Sequence, residues 1–72
     1  MRNLEEVESG KYCKIVWLLG SVGRYLRNTL NLDEDDELYV RENNGVSLII
    51  AKGEKRYALD AETAHWIKVT VS

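Results

Sequence analysis

Few side chains in this sequence could do covalent chemistry. Among 72 residues there is one cysteine, Cys13, and one histidine, His65, so a nucleophile–base pair is conceivable. Cys13 falls in a predicted strand at a small apolar position, where a thiol is usually inert packing. One Cys and one His cannot build a structural zinc site of the Cys/His type, and the glycines around Ser21 lack the lysine of a phosphate-binding loop. We therefore do not expect an enzyme.

Carboxylates offer two further places where a metal ion could bind. Glu62 precedes His65 by three residues, and Asp33–Glu37 is a run of five acids. Two ligands are too few for a dedicated transition-metal site, and the acidic run lacks the alternate spacing and the glycine of a calcium loop. We interpret His65 as a strand residue at the rim of the fold and the acidic run as a solvated loop. Weak divalent binding stays open, and no cofactor is expected.

Composition indicates one small domain that spans residues 1–72. The chain is 44% hydrophobic with a net charge of −2, so it has no basic footprint for nucleic acid. A single cysteine excludes a disulfide within the chain and fits a reducing compartment. The apolar runs Ile15–Leu19 and Val46–Ala51 are too short to insert into a bilayer. A soluble, cytoplasmic protein is the expectation.

The stretch Leu38–Ala51 organises the predicted fold as a β-hairpin. Asn44-Gly45 is the preferred pair for a two-residue type I′ turn, which would place Val40 opposite Ile49 and Leu38 opposite Ala51. Those four side chains would then form one apolar face. Because the other face is also half apolar, we predict a central hairpin that the remaining segments must cover.

The other segments predict more short strands and one helix. Ser21 is a candidate N-cap for a helix with the apolar stripe Val22, Leu26 and Leu30, and Asn31 suits the left-handed position after its end. Asp60 could cap a single helical turn, Ala61–Ala64. The remaining strands are predicted at Lys11–Leu19, Arg56–Leu59 and His65–Val71. Five strands and one short helix predict an all-β fold that closes into a small barrel.

Several segments in this order resemble one protein family. They are Gly10–Ile15, Leu26 with Leu30-Asn31-Leu32, Glu37–Val40, Tyr57-Ala58-Leu59 and Ala64–Val69, and together they resemble FeoA, over almost the whole chain. The resemblance implies an SH3-like five-stranded barrel with a helix between the first two strands. It also implies a small cytosolic partner of the bacterial ferrous-iron transporter FeoB. The same barrel forms the C-terminal domain of iron-dependent repressors, so a free-standing regulatory module that binds a transition metal or another protein domain is the alternative.

Three positions depart from the FeoA pattern. Asn31 stands where the family usually has glycine, and Glu34-Asp35 stands where it usually has Pro-Gly. A tight turn at Asn43–Gly45 replaces a longer, basic loop. The loop between helix and hairpin is therefore more acidic than the pattern, which bears on how the chain meets a partner.

Aromatic residues supply a candidate partner-binding surface. In the FeoA pattern Trp17 and Trp66 match positions that usually face out, and the alternation of the last strand also sets Trp66 apart from Ile67 and Val69. The first and last strands are expected to be neighbours, with Tyr25 of the helix bordering the two tryptophans. Exposed aromatic clusters mark interfaces, so we predict that Trp17, Tyr25 and Trp66 bind FeoB or, in a weak homo-oligomer, a second copy. The alternative is that the tryptophans are core residues.

Overall fold

The computed structural model describes every residue from Met1 to Ser72. Two α-helices, α1 (Gly20–Leu30) and α2 (Ala61–Ala64), and a 3-10 turn at Leu4–Glu6 accompany the strands. The six strands are β1 (Arg2–Asn3), β2 (Tyr12–Leu18), β3 (Glu37–Asn43), β4 (Ser47–Lys52), β5 (Lys55–Asp60) and β6 (Ile67–Val71). The all-β prediction with one short helix between the first two long strands is confirmed.

All six strands belong to one antiparallel sheet in the order β1-β6-β2-β3-β4-β5. The predicted first and last strands, β2 and β6, are neighbours as expected, and the two-residue strand β1 adds to β6 at the sheet's end. No hydrogen-bonded pair joins β1 to β5. Instead α2 packs on β4, β5 and the 3-10 turn, and the 3-10 turn packs on β6. These two short elements fill the gap and complete a small SH3-like barrel.

The core is a single apolar cluster that contains no polar side chain. Helix α1 contributes Leu26, and the predicted stripe is confirmed because Val22 and Leu30 pack partly buried against the same cluster. The 14 buried members are Leu4, Val7, Cys13, Ile15, Leu26, Leu32, Leu38, Val40, Leu48, Ile50, Leu59, Ala64, Ile67 and Val69.

The central hairpin exists, but its predicted register is wrong. Val40 lies opposite Ile50, and the register shifts between Val40 and Glu42, so that Arg41 is an extra residue in a bulge. Leu48 and Ile50 are therefore the buried residues of β4, whereas Ile49 faces outward. A bulge changes which side chains share a face.

The turn of this hairpin is also different from the prediction. Of its two central residues only Gly45 has a positive φ, +88°, so the turn is not type I′, which needs positive φ at both positions. The Asn44 side chain instead accepts hydrogen bonds from the N–H groups of Val46 and Ser47, both at 2.9 Å. Local side-chain bonds of this kind hold the loop in place of a tight turn.

The end of helix α1 was predicted correctly, but its start was not. The helix begins at Gly20 with Leu19 in the N-cap position and no side-chain cap, so the prediction that Ser21 caps it is wrong. At its other end Asn31 has φ +56°, and the Leu32 N–H donates to the Leu26 carbonyl at 3.3 Å. That left-handed ending with its buried Leu32 is the predicted one.

The last predicted strand is two residues too long. His65 follows α2 in helical conformation and β6 begins at Ile67, so the prediction that His65 is a strand residue is wrong. Ile67 and Val69 are buried as predicted. Neither helix has the length and apolarity that crossing a lipid bilayer requires.

Candidate functional site

Strands β2 and β6 bring Trp17 and Trp66 to the same part of the surface. Trp17 lies opposite Lys68 in the ladder, and the Leu19 N–H donates to the Trp66 carbonyl at 3.0 Å. Residues alternate between faces along a strand, so Trp66 and Lys68 share the outer face next to Trp17. Their exposed fractions are 51% for Trp17 and 43% for Trp66. The tryptophans are therefore surface residues, as the FeoA pattern predicts, and the core alternative is wrong.

A bulge in β2 explains why Trp17 faces outward. Ile15 and Trp17 would share one face in a regular strand, and Ile15 is fully buried. The β2–β6 register shifts between these two residues, which leaves Val16 as the extra residue. The shift returns Leu18 to the core side, where it packs partly buried. Apolar and polar residues do not alternate regularly in Lys11–Leu19, and this bulge is the structural cause. The bulge also exposes the aromatic side chain of Trp17.

Trp66 and the first turn of α1 enclose an apolar groove of about 180 Å³. Its lining is Leu19, Gly20, Ser21, Val22 and Trp66. Tyr25 is 57% exposed and lies four residues after Ser21 and three after Val22, so it projects from the same side of the helix. We call Trp17, Tyr25, Trp66 and this groove the aromatic surface.

Within the aromatic surface the two tryptophan rings do not stack on each other. The ring that contacts Trp66 is His65, edge-on with centroids 5.3 Å apart. Trp17 lies beside Lys68 instead, whose Nζ donates to the Asn3 side chain. The surface is therefore an open arrangement of separate aromatic anchors around a shallow groove.

His65 has a carboxylate partner, but it is not the predicted one. Its Nδ1 forms an ion pair and hydrogen bond with Glu5 and lies 3.2 Å from the Asn3 Nδ2. No hydrogen bond or ion pair joins Glu62 to the ring. Glu5 and His65 are 60 residues apart, so local spacing gives no signal for this pair. Nowhere do three or more His, Cys, Asp or Glu side chains converge as a metal-binding group.

Cys13 and His65 are not brought together. Cys13 is fully buried in β2 opposite Leu38 and Val71, while His65 precedes β6 by two residues. Burial, with a smaller contribution from the charge of Glu37, raises the pKa of the Cys13 thiol to about 11. A buried, protonated thiol is a poor nucleophile, so the residue acts as packing.

Two basic side chains pair with three of the five acids in the segment Asp33–Glu37. Arg27 pairs with Asp33 at 3.2 Å and with Glu34 at 3.7 Å, and Lys52 pairs with Asp36 at 2.7 Å. The N–H of Glu34 and the Arg27 guanidinium hold the pKa of Asp33 below its usual range. The segment is solvent-exposed as predicted, since four of its five acids are exposed, and it has less unpaired negative charge than its sequence indicates.

One aromatic pair, which is formed by Tyr12 and Tyr39, was not predicted from the sequence. Tyr12 and Tyr39 lie opposite each other on β2 and β3 with ring centroids 4.8 Å apart, beside a groove of about 290 Å³. Both residues are visible as strand formers, but the pairing of β2 with β3 had to be known before the contact could be predicted. This Tyr pair adjoins the opposite end of β2 from Trp17.

Solved structures with the same fold include two FeoA proteins. An iron uptake regulatory protein named FeoA matches with a TM-score of 0.86 over 99% of this chain and 96% of its own, at 23% identity. A FeoA-like protein from Clostridium acetobutylicum matches with a TM-score of 0.87 over 97% of this chain and 85% of its own, at 20% identity. The chain has the FeoA fold.

The same fold also occurs inside a larger regulator. A manganese-dependent transcriptional repressor matches with a TM-score of 0.86 and 17% identity, and the match covers 99% of this chain but 41% of the repressor. At the level of sequence, no protein-family model and no curated protein matches the chain. The likeness is therefore one of fold, in both kinds of protein.

Proposed function

We propose that this chain is a small cytoplasmic accessory protein of bacterial ferrous-iron uptake that acts by binding the FeoB transporter. The observation that carries the proposal is the FeoA fold, which covers 99% of this chain and 96% of a FeoA chain. The segments that resemble FeoA in sequence extend from Gly10 to Val69, across β2 to β6. Transport itself would belong to FeoB, and this chain would act through contact.

Two of the three departures from the FeoA pattern, at Asn31 and Asp35, support this proposal. Asn31 has φ +56° and Asp35 has φ +74°, and both stand where the family usually has glycine. Positive φ is uncommon for residues other than glycine and is best tolerated by Asn and Asp. The chain therefore adopts at both places the left-handed backbone that glycine favours.

The aromatic surface is the proposed contact with FeoB. Trp and Tyr are enriched at binding hot spots because they bury a large area and keep a polar group at the rim. Trp17, Tyr25 and Trp66 are all about half exposed, although they bear the largest apolar groups in the chain. A partner protein that covers these side chains would bury their apolar area.

Catalysis is not part of the proposed function. The Cys13 thiol is buried with a raised pKa, and the side-chain partners of His65 are Glu5 and Asn3, so no nucleophile lies beside the one imidazole that could act as a base. A binding role requires neither residue.

A regulatory module is the second candidate, and the likeness to the manganese-dependent repressor favours it. In that case the chain would bind another protein domain or a transition metal. The absence of a cluster of three metal-ligating side chains makes the protein domain the better-supported ligand.

Binding to FeoB separates the two candidates. The FeoB encoded in the same genome is placed in lipid nanodiscs, and its binding to the immobilised chain is measured by interferometry. Empty nanodiscs and an unrelated transporter serve as controls. Saturable binding to FeoB supports the accessory role. No binding, with the chain folded, contradicts it and favours the regulatory module.

A further inference from the structure

Strand β5 leaves one side of its backbone without partners. It is the last strand of the sheet and pairs only with β4. Apart from the strand ladder and the first turn of α2, whose N-cap is Asp60, no loop or side-chain hydrogen bond reaches the backbone of Lys55–Asp60. An unpaired strand edge is a template for another strand.

The pairing with β4 shows which backbone groups point outward. Lys52 and Lys55 close the two-residue turn at Gly53-Glu54 and so form a hydrogen-bonded pair, and such pairs recur at every second residue. The bond from the Ala61 N–H to the Val46 carbonyl, at 2.9 Å, continues the same alternation. Tyr57 and Leu59 therefore bond to β4, and Arg56 and Ala58 direct their N–H and C=O groups to the free edge. Asp60 directs its N–H there, while its carbonyl, at the N-cap of α2, accepts the first bond of that helix.

These same three residues are exposed, and their order is self-complementary. When a second β5 pairs antiparallel with the first, centred on Ala58, Arg56 of each copy lies opposite Asp60 of the other. Neither Arg56 nor Asp60 makes an ion pair or a side-chain hydrogen bond within its own chain, so both charges are available. The small Ala58 side chain at the centre does not obstruct the approach.

Other registers lack this match. Centring the pair on Arg56 or on Asp60 sets like charges directly opposite, which is destabilising. A shift of one position to centre on Tyr57 or Leu59 sets a charged residue opposite Ala58 and forms neither ion pair. One register therefore combines four backbone bonds, two at the Ala58 pair and one from each Asp60 N–H to the Arg56 carbonyl of the other copy, with two ion pairs.

We propose that the chain forms a symmetric dimer by pairing β5 with β5 of a second copy, in the register that places Arg56 opposite Asp60. The contact is isologous, because the same strand serves both copies and the two-fold axis passes through the Ala58 pair. Ile49 lies beside Ala58 on the outer face of β4 and is partly exposed, so it extends the contact with an apolar row. Five residues a side make a small interface, and small interfaces are transient. The dimer forms at high protein concentration and leaves the aromatic surface free.

Charge reversal tests the register. Arg56→Asp gives a strand with acids at both positions, and Asp60→Arg gives one with arginines at both. Each variant alone opposes like charges and is expected to weaken self-association by roughly tenfold or more. An equimolar mixture restores both ion pairs and is expected to form a heterodimer at least as readily as the wild type dimerises.

Sedimentation velocity from micromolar to millimolar concentration measures all of these species. Arg24→Asp, on the exposed face of α1, is the control with the same change in net charge as Arg56→Asp. Hydrogen exchange adds a residue-level reading: the amides of Arg56, Ala58 and Asp60 should become protected as concentration rises. A wild type that stays monomeric at every concentration overturns the proposal. Arg56 and Asp60 would then serve to keep the edge of β5 from pairing with another strand. A dimer that persists in both single variants, or a mixture that stays monomeric, also overturns it by excluding this register.

Discussion

Gly23 is the residue at which one added methyl group should do most damage. A Cβ built there lies 2.4 Å from the carbonyl carbon of Leu18, 2.6 Å from its oxygen and 3.0 Å from its Cβ. Non-bonded carbon atoms settle near 3.5–4.0 Å, so α1 and the end of β2 must separate by about 1 Å. The atoms in the way are mainly backbone, which cannot rotate aside.

Two opposing effects set the magnitude of Gly23→Ala. In an open helix the change would stabilise the fold by about 0.5–1 kcal/mol, through helix propensity and chain entropy. Overpacking a close contact costs about 1–3 kcal/mol and occasionally more. We expect the second effect to dominate and the variant to lose about 1–3 kcal/mol of unfolding free energy, which lowers the midpoint of a domain of this size by roughly 5–20 °C.

Thermal and urea denaturation followed by circular dichroism measure this loss. Asn28→Ala, at an exposed position of the same helix, is the matched control and is expected to be neutral or slightly stabilising. A Gly23→Ala variant as stable as the wild type would refute the reasoning, because α1 would then not pack against β2 at this distance.

Three further predictions concern the turn, the metal and the thiol. Gly45→Val should cost about 1–3 kcal/mol because φ is +88° there, and an unchanged melting curve would contradict the described turn. Titration of the isolated chain with ferrous or zinc ion should give weak binding at most; submicromolar one-to-one binding that His65→Ala abolishes would contradict this and favour a metal-binding module. The raised pKa of Cys13, about 11 against an ordinary 9.0, means that the unfolded chain loses the thiol proton first. The contribution of the buried thiol to the free energy of unfolding is complete below pH 9 and is lost as pH rises toward 11. The free energy of unfolding of Cys13→Ala, measured by urea denaturation, should therefore fall less steeply over that range than that of the wild type. An identical fall would contradict the raised pKa.

The order of the elements was predictable because local patterns and the resemblance to FeoA agree. The stripe of α1 and the alternation at Ile67 and Val69 each follow from regular periodicity. Asn31 was placed correctly in the left-handed conformation because few residues other than glycine accept it. These features depend on neighbours in sequence.

The register of the central hairpin was not predictable because distant contacts set it. The Asn43 Nδ2 donates to the carbonyls of Glu5 and Val7, both at 2.8 Å, and its N–H donates to the Ser9 hydroxyl at 2.8 Å. These bonds fix the end of β3 against the N-terminal segment and accompany the bulge at Arg41. Local turn preference for Asn-Gly was overridden by tertiary contacts.

The same limit applies at the candidate site. The exposure of Trp17 depends on the β2 bulge, and the sequence does not show where in Lys11–Leu19 a bulge falls. The partner of His65 is Glu5, and no sequence spacing joins the two. The sequence could therefore supply the aromatic residues of the surface but not the contacts that arrange them.

Substitution of the two tryptophans tests the central claim most directly. Trp17→Ser and Trp66→Ser, singly and together, are compared with the wild type for binding to FeoB in nanodiscs, with folding checked by circular dichroism. Tyr12→Ser removes an aromatic side chain of similar exposure, 54%, at the other end of β2 and serves as the control. The account predicts a folded double variant that has lost FeoB binding and a control that keeps it. A folded double variant that binds FeoB as tightly as the wild type would contradict the assignment of the aromatic surface.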